Sequence, residues 1–165
     1  MKKNLLKSIV ILSLSLISTS AVFANDNVYV DQNAVNYERE LKEGKLEILA
    51  QDEYKFYNPN LKVSGSYGVY ECQLSRFNNS NARIKAYAGS NVLIDKMIID
   101  HYGYYSGSTP SVKNYRESPD GWRIGALSTE VEARKGFVFD STYAYFTFRD
   151  DNCGNRSESL SINPL

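Results

Sequence analysis

The sequence predicts a mainly β protein, an antiparallel β-sandwich or partly open barrel of seven to nine short strands with one short N-terminal helix. Apolar and polar residues alternate in most segments after residue 45, as they do in strands with one buried face. Turn residues separate these segments at regular intervals, which is typical of sandwiches and barrels. Only one early stretch has helical spacing instead.

The first 24 residues have the order of a secretory signal peptide. Three lysines precede an apolar stretch from Ile9 to Ile17, and Ala21 and Ala24 supply small residues for cleavage. The stretch is shorter than the ~20 apolar residues that a membrane-spanning helix needs. We therefore expect a secreted or periplasmic bacterial protein, in which residues 25–165 form a single β-rich domain.

The charge of the mature chain limits its partners. Three of the 19 basic residues lie in the leader, which leaves 16 basic against 19 acidic residues. A slightly acidic chain lacks the basic surface with which proteins attract nucleic acids or anionic membranes. We expect no nucleic-acid partner, no membrane insertion, and a monomer or small oligomer.

Two cysteines, Cys72 and Cys153, remain after cleavage. In an oxidising compartment such a pair usually forms a disulfide. The bridge would close a loop of about 80 residues and stabilise the fold by ~4.5 kcal/mol on the chain-entropy estimate. The alternative is two buried thiols.

The segment after the leader predicts a helix over 34–43. Asn33 can act as its N-cap and Gly44 can end it. Tyr37 and Leu41, four residues apart, share one face. A helix this short needs a sheet to pack against.

The strands are predicted from alternation. Buried faces are expected at Tyr70, Cys72 and Leu74, at Ile84, Ala86 and Ala88, and at Ala144, Phe146 and Phe148. The apolar run "VLIDKMII" predicts one strand that is buried on both sides. The segment "SPDG" predicts a turn, and "RKG" predicts a second turn that leads into a short strand, "FVF".

The only histidine, His101, is the one candidate for imidazole chemistry. Asp100 precedes it and would point to the opposite face of a strand, so a triad would need Asp95 or a distant acid with a serine. No G-x-S-x-G elbow is present. A hydrolase built on His101 therefore remains an alternative, and a partly exposed histidine at a strand end is the simpler interpretation.

Paired carboxylates offer another route to a hydrolase. Glu130 and Glu132 lie on one face of a predicted strand, with Cβ atoms about 7 Å apart. That spacing is compatible with glycoside cleavage. However, one acid would have to be desolvated to hold its proton, and the pattern favours a solvated face.

Metal sites are poorly supported. One histidine and two cysteines expected in a disulfide cannot build a zinc site. The segment "RDDNCGNRSES" offers oxygen ligands for calcium, namely Asp150, Asp151, Asn152, Asn155 and Glu158. Its spacing misses the EF-hand pattern, and we expect no cofactor.

Tyrosine is abundant, with thirteen in the mature chain against six phenylalanines and one tryptophan. The stretch "YGYYSGS" interleaves tyrosines with glycine and serine, the composition of binding loops. The predicted binding residues are Tyr102, Tyr104, Tyr105, Tyr115, Trp122 and Arg123. The alternative is a loop whose tyrosines fold back on the sheet.

These observations predict an exported, non-enzymatic protein that binds a protein or glycan partner through tyrosine-rich loops. Inhibitors, immunity proteins, adhesion modules and toxin-binding subunits share this pattern. Two alternatives stay open: a small secreted hydrolase, and a structural subunit of a surface assembly whose edge strands pair with neighbours.

Overall fold

The computed structural model describes residues 27–57, 67–105, 108–151 and 154–165. The predicted signal peptide and Cys153 lie outside these ranges. The described elements are β1 (Val28–Tyr29), α1 (Gln32–Lys42), β2 (Leu46–Tyr57), β3 (Tyr67–Phe77), β4 (Ser80–Ile94), β5 (Lys96–Tyr105), β6 (Ser108–Glu117), β7 (Arg123–Glu132), β8 (Ser141–Arg149) and β9 (Arg156–Ile162). No helix in this part of the chain is long and apolar enough to cross a membrane.

The strands form two open sheets. One has five strands in the order β1-β7-β4-β3-β2, and the other has four in the order β6-β5-β8-β9. The pairs are antiparallel except β1 with β7. The predicted fold class is confirmed: the protein is mainly β and has the arrangement of a sandwich rather than a closed barrel.

The main core lies between the sheets. Alternate residues of both inner faces meet there, as face-to-face packing requires. The buried members are Phe56, Tyr70, Cys72, Leu74, Ala86, Ala88, Ile94, Met97, Ile99, Ile124, Leu127, Ala144, Phe146 and Phe148. The alternation predicted for the strands around Cys72 and Phe146 is therefore confirmed.

Helix α1 covers the outer face of the five-stranded sheet. Its residues Ala34 and Tyr37 are buried against Leu46 and Tyr87, and Leu41 packs beside them. The expected helix and its apolar face are confirmed. Because α1 covers that face, Tyr87 is buried although it shares its side of the strand with Arg83 and Lys85.

The start of α1 differs from the prediction. The N-cap is Asp31, not Asn33, and the helix begins at Gln32. The Asp31 carboxylate makes no cap hydrogen bond. It instead accepts one from the Ser128 backbone N–H at 2.9 Å and pairs with Arg116. Asp31 therefore ties the helix start to both sheets.

The apolar run "VLIDKMII" is not one strand. Strand β4 ends at Ile94 and β5 begins at Lys96, so the chain changes sheets at Asp95. Ile94 and Met97 both reach the core, but from different sheets. An apolar run is compatible with either arrangement, and the prediction of one doubly buried strand was wrong.

The "SPDG" turn is confirmed, with Gly121 at φ +76°, and it carries the chain from β6 to β7 in the other sheet. The segment "FVF" is not a strand. Phe139 is buried there, whereas Phe137 and Val138 are exposed.

Candidate binding face and cleft

Five tyrosines share the outer face of the four-stranded sheet. Strand register places Tyr102 opposite Tyr143, and it places Tyr115 and Tyr145 on either side of Asp100. Tyr104 lies two residues beyond Tyr102, on the same face. We call this surface the tyrosine face; it comprises Tyr102, Tyr104, Tyr115, Tyr143 and Tyr145.

The rings of the tyrosine face are open to solvent and ordered against one another. Tyr104, Tyr115 and Tyr145 are 39%, 49% and 41% exposed. The Tyr102 ring stacks on Tyr104 with centroids 6.3 Å apart, and it lies 6.1 Å from Tyr143. These contacts leave a sheet surface on which rigid aromatic area is already positioned.

Charges on the tyrosine face occur in opposite pairs. Lys113 forms an ion pair with Asp100 at 2.9 Å and lies 5.1 Å from the centroid of the Tyr102 ring. The Tyr102 hydroxyl and the Asp100 carboxylate raise the pKa of Lys113. The Tyr115 hydroxyl donates to Glu117, which raises the pKa of Tyr115 and lowers that of Glu117. Lys96 also pairs with Glu117 at 3.4 Å, so these charges balance one another.

A column of serines borders the tyrosines on edge strand β9. Ser161 is opposite Tyr143, Ser159 is opposite Tyr145, and Ser157 is opposite Thr147. The three serines are exposed. Small hydroxyl donors and acceptors thus lie directly beside the aromatic rings.

The predicted binding residues divide into two groups. Tyr102, Tyr104 and Tyr115 lie on the tyrosine face, although on strands rather than loops. Tyr105 faces the core, where its ring stacks on Phe139 at 5.2 Å. Its hydroxyl accepts a hydrogen bond from the Arg134 backbone N–H at 2.8 Å. Tyr105 therefore lies apart from the tyrosine face, because consecutive strand residues face opposite sides.

Trp122 and Arg123 lie elsewhere. Trp122 follows the turn between the sheets, and Arg123 begins β7 of the five-stranded sheet. The Arg123 guanidinium donates to the Leu93 carbonyl at 2.5 Å and to Asp150 at 3.0 Å. Tyr115 and Arg123 thus do not stand on one hairpin of paired strands, because β6 and β7 belong to different sheets.

Tyr143 and Tyr145 were not predicted to lie on this surface. Their signal was present in "YAYFTFR", where they alternate with core residues. Only the pairing of β8 with β5 brings them beside Tyr102.

A polar cleft of about 370 Å³ lies where α1 meets β4, β7 and β6. Arg83 donates to Glu130 through Nε at 2.6 Å and Nη2 at 3.1 Å. Lys85 pairs with Glu40 of the helix and approaches Glu130 at 3.5 Å. Hydrogen bonding to Glu130 raises the pKa of Arg83.

Amides and one aromatic ring complete this cleft. Asn33 and Asn36 line it from the helix, and Asn114 lines it from β6. The Asn114 side chain donates to the Glu130 carbonyl at 2.9 Å. Tyr115 lines the cleft as well, so this residue belongs to both the cleft and the tyrosine face.

His101 is fully buried, contrary to the expected partly exposed position. Its Nε2 is 3.0 Å from Thr142 Oγ1, and its Nδ1 has no partner in the described part of the chain. Burial lowers the pKa of His101 to about 3. Asp100 lies on the other face, so this geometry gives no support to a histidine-based hydrolase.

Glu130 and Glu132 do not share one environment. Glu132 is exposed, whereas Glu130 is partly buried in the cleft and held by Arg83 and Lys85. Arg83 and Lys85 occupy both carboxylate oxygens of Glu130, whereas a general acid must reach the substrate atom that it protonates. The prediction that these glutamates face the solvent is therefore confirmed for Glu132 and is wrong for Glu130.

Two of the carboxylates suggested for calcium, those of Asp150 and Glu158, are held by arginines. Asp150 is buried and bonded to Arg123, Glu158 pairs with Arg156, and the Asp151 backbone N–H donates to Asp95. Asn152 lies outside the described residues. Within the described ranges no three histidine, cysteine or acidic side chains form a metal-binding group.

Cys72 is a buried thiol whose pKa is raised by burial. Because Cys153 lies outside the described residues, the disulfide stays a prediction. Gly154 follows Cys153 in the sequence, and its carbonyl accepts a long hydrogen bond of 3.5 Å from the Tyr70 hydroxyl. Tyr70 precedes Cys72 by two residues.

Comparison with family models, curated proteins and solved structures found no match to this chain.

Proposed function

We propose that the chain is an exported, non-enzymatic binding protein whose recognition surface is the tyrosine face, and that its partner is a glycan or a protein. One observation carries the proposal: five tyrosines share one sheet face that α1 leaves uncovered, and three of them are between 39% and 49% exposed. Phenylalanine would serve equally well for packing alone.

The chemistry of tyrosine supports recognition. Each ring supplies a large contact area with few rotatable bonds, and its hydroxyl can still donate and accept hydrogen bonds. Tyrosine is enriched among the residues that dominate binding energy at interfaces. Stacking of Tyr102 on Tyr104 restrains both rings before a partner arrives, which lowers the entropic cost of binding.

Subunit assembly is the second candidate, and edge strands favour it. Strands β6 and β9 end the four-stranded sheet, so each has one unpaired side within the described part of the sheet. Such edges can pair with a second chain. Size-exclusion chromatography separates the candidates, because an assembly subunit forms polymers that grow with protein concentration.

The test is capture by the oxidised mature protein, using bacterial and host extracts together with a glycan array. The variant Tyr143→Ala/Tyr145→Ala should lose at least about tenfold in affinity for the captured partner. Trp122→Ala is the matched control, because Trp122 is 42% exposed and lies outside the tyrosine face. Full binding by the double variant would overturn the proposal.

A further inference from the structure

The charged groups of the cleft already neutralise one another. Arg83 is bonded to Glu130, Lys85 is bonded to Glu40, and Arg116 is bonded to Asp31. An anionic ligand would have to displace a carboxylate, and a cationic ligand would have to displace an arginine or lysine. A ligand without net charge can enter while these pairs remain intact.

The remaining polar groups suit hydroxyls. Asn33, Asn36 and Asn114 carry side-chain amides, which have both donor and acceptor atoms. Asn36 Oδ1 already accepts from Arg39, and Asn114 Nδ2 already donates to the Glu130 carbonyl. This leaves Asn36 Nδ2, Asn114 Oδ1 and the Asn33 amide for a ligand. A mixture of hydrogen-bond donors and acceptors suits a ligand group that can both donate and accept, such as a sugar hydroxyl. An apolar ligand would leave these groups without partners, which is costly.

Tyr115 joins the cleft to the tyrosine face. It stands on edge strand β6, lines the cleft, and is the register partner of Asp100 on the outer face. From there the row continues through Tyr145 to Ser159 on β9. At the ~4.8 Å spacing of neighbouring strands, this row spans roughly 15 Å, longer than one sugar unit.

We infer that the ligand is a neutral oligosaccharide, with one unit held by the asparagines of the cleft and the following units stacked along Tyr115 and Tyr145. This inference rests on the proposed function and names its ligand class. Aromatic faces pack against the C–H groups of sugar rings, and the serine column offers hydroxyl contacts at their edges.

The test combines a glycan array with titration calorimetry of its strongest neutral hit. Cellohexaose, hexa-N-acetylchitohexaose and mannohexaose serve as defined neutral oligomers, and the corresponding monosaccharides serve as short probes. Asn33→Ala/Asn36→Ala removes two amides of the cleft, and Gln32→Ala is the matched control on an exposed position of the same helix. We expect the oligomer affinity to fall about tenfold in the cleft variant and in Tyr145→Ala, and to be unchanged in Gln32→Ala.

The outcomes separate the two proposals. If Tyr145→Ala weakens oligosaccharide binding and the cleft variant does not, the cleft inference fails and the proposed function stands. If the array gives no neutral hit and a protein is captured through the tyrosine face, the oligosaccharide inference fails and the proposed function again stands. If no partner of either kind depends on the face, both fail.

Discussion

Tyr102 of β5 and Tyr143 of β8 are register partners on the outer sheet, and their ring centroids lie 6.1 Å apart. Each ring also has a neighbour along or across the sheet, so the surface is built from mutually supported side chains. Such pairs contribute little to folding individually. Binding and stability should therefore respond differently to their removal.

The first prediction separates these two effects. Tyr143→Ser should lower the free energy of unfolding by only about 0.2–1 kcal/mol, because the ring is partly exposed and its loss removes one cross-strand pair. Urea denaturation measures this. A loss above about 3 kcal/mol would show instead that the Tyr143 ring is needed for folding stability. Ser159→Ala, on the same face of the sheet, is the control and should leave the free energy of unfolding unchanged.

The second prediction concerns pH. The pKa of His101 is lowered to about 3 by burial, against 6.5 for an unburied histidine. Between these values only the unfolded chain binds the proton, so this contribution to stability is complete above about pH 6.5 and declines as the pH falls towards 3. His101→Gln should weaken that dependence, since glutamine does not titrate.

Urea unfolding of the wild-type protein and of His101→Gln between about pH 4.5 and pH 7 tests this prediction. In the wild-type protein, the buried histidine should make the free energy of unfolding rise with pH by up to ~1.4 kcal/mol per pH unit. The carboxylates are common to both proteins and cancel in the comparison. Parallel stability curves would contradict the assignment of His101 as a buried, neutral side chain.

The third prediction concerns the contact between α1 and the sheet. The buried Tyr37 hydroxyl donates to Gln73 at 2.8 Å and is 2.6 Å from Ser75 Oγ. Tyr37→Phe keeps the ring and removes the hydroxyl, which leaves both partners short of a hydrogen bond in a buried site. We expect a loss of about 1–3 kcal/mol, measured by denaturation. An unchanged midpoint would mean that water replaces the hydroxyl.

The fourth prediction tests the buried carboxylate of Asp31. Asp31→Ala removes the acceptor for Ser128 N–H and the partner of Arg116. Breaking a buried pair in this way typically costs about 3–5 kcal/mol. The control is Asp120→Ala, which removes only an exposed pair with Lys96 and should leave the free energy of unfolding almost unchanged, because solvent screens such pairs. Similar losses in both variants would refute the structural role of Asp31.

The fifth prediction is the Cys72–Cys153 disulfide. Oxidised mature protein, denatured without reductant, should contain no free thiol. Reduction should then destabilise it by a few kcal/mol, as typical disulfides do. Two titratable thiols in the denatured, unreduced protein would show instead that Cys72 is an unbridged, buried cysteine.

Alternation was enough to predict the fold class and most core faces. It worked at Cys72 and Phe146 because each strand there has one side on the core between the sheets. It was insufficient at Tyr87, which α1 covers, because the position of a helix on a sheet depends on contacts distant in sequence. It was also insufficient at Asp95, where a continuous apolar run conceals a change of sheet.

The site was only partly predictable for the same reason. The sequence pointed to Tyr102, Tyr104 and Tyr115, but proximity along the chain also suggested Tyr105 and Trp122. Which tyrosines share a surface depends on strand parity and on which strands pair. Local composition does not encode that pairing, and so Tyr143 and Tyr145 were overlooked.

The position of α1 on one sheet and the tyrosines on the other has a practical consequence for attaching the molecule to a sensor chip. Random coupling through amines would modify Lys113, which lies among the tyrosine rings, and would block the tyrosine face. A Lys42→Cys variant coupled through its thiol would instead orient every copy with its aromatic side toward the solution, because position 42 is exposed at the end of α1.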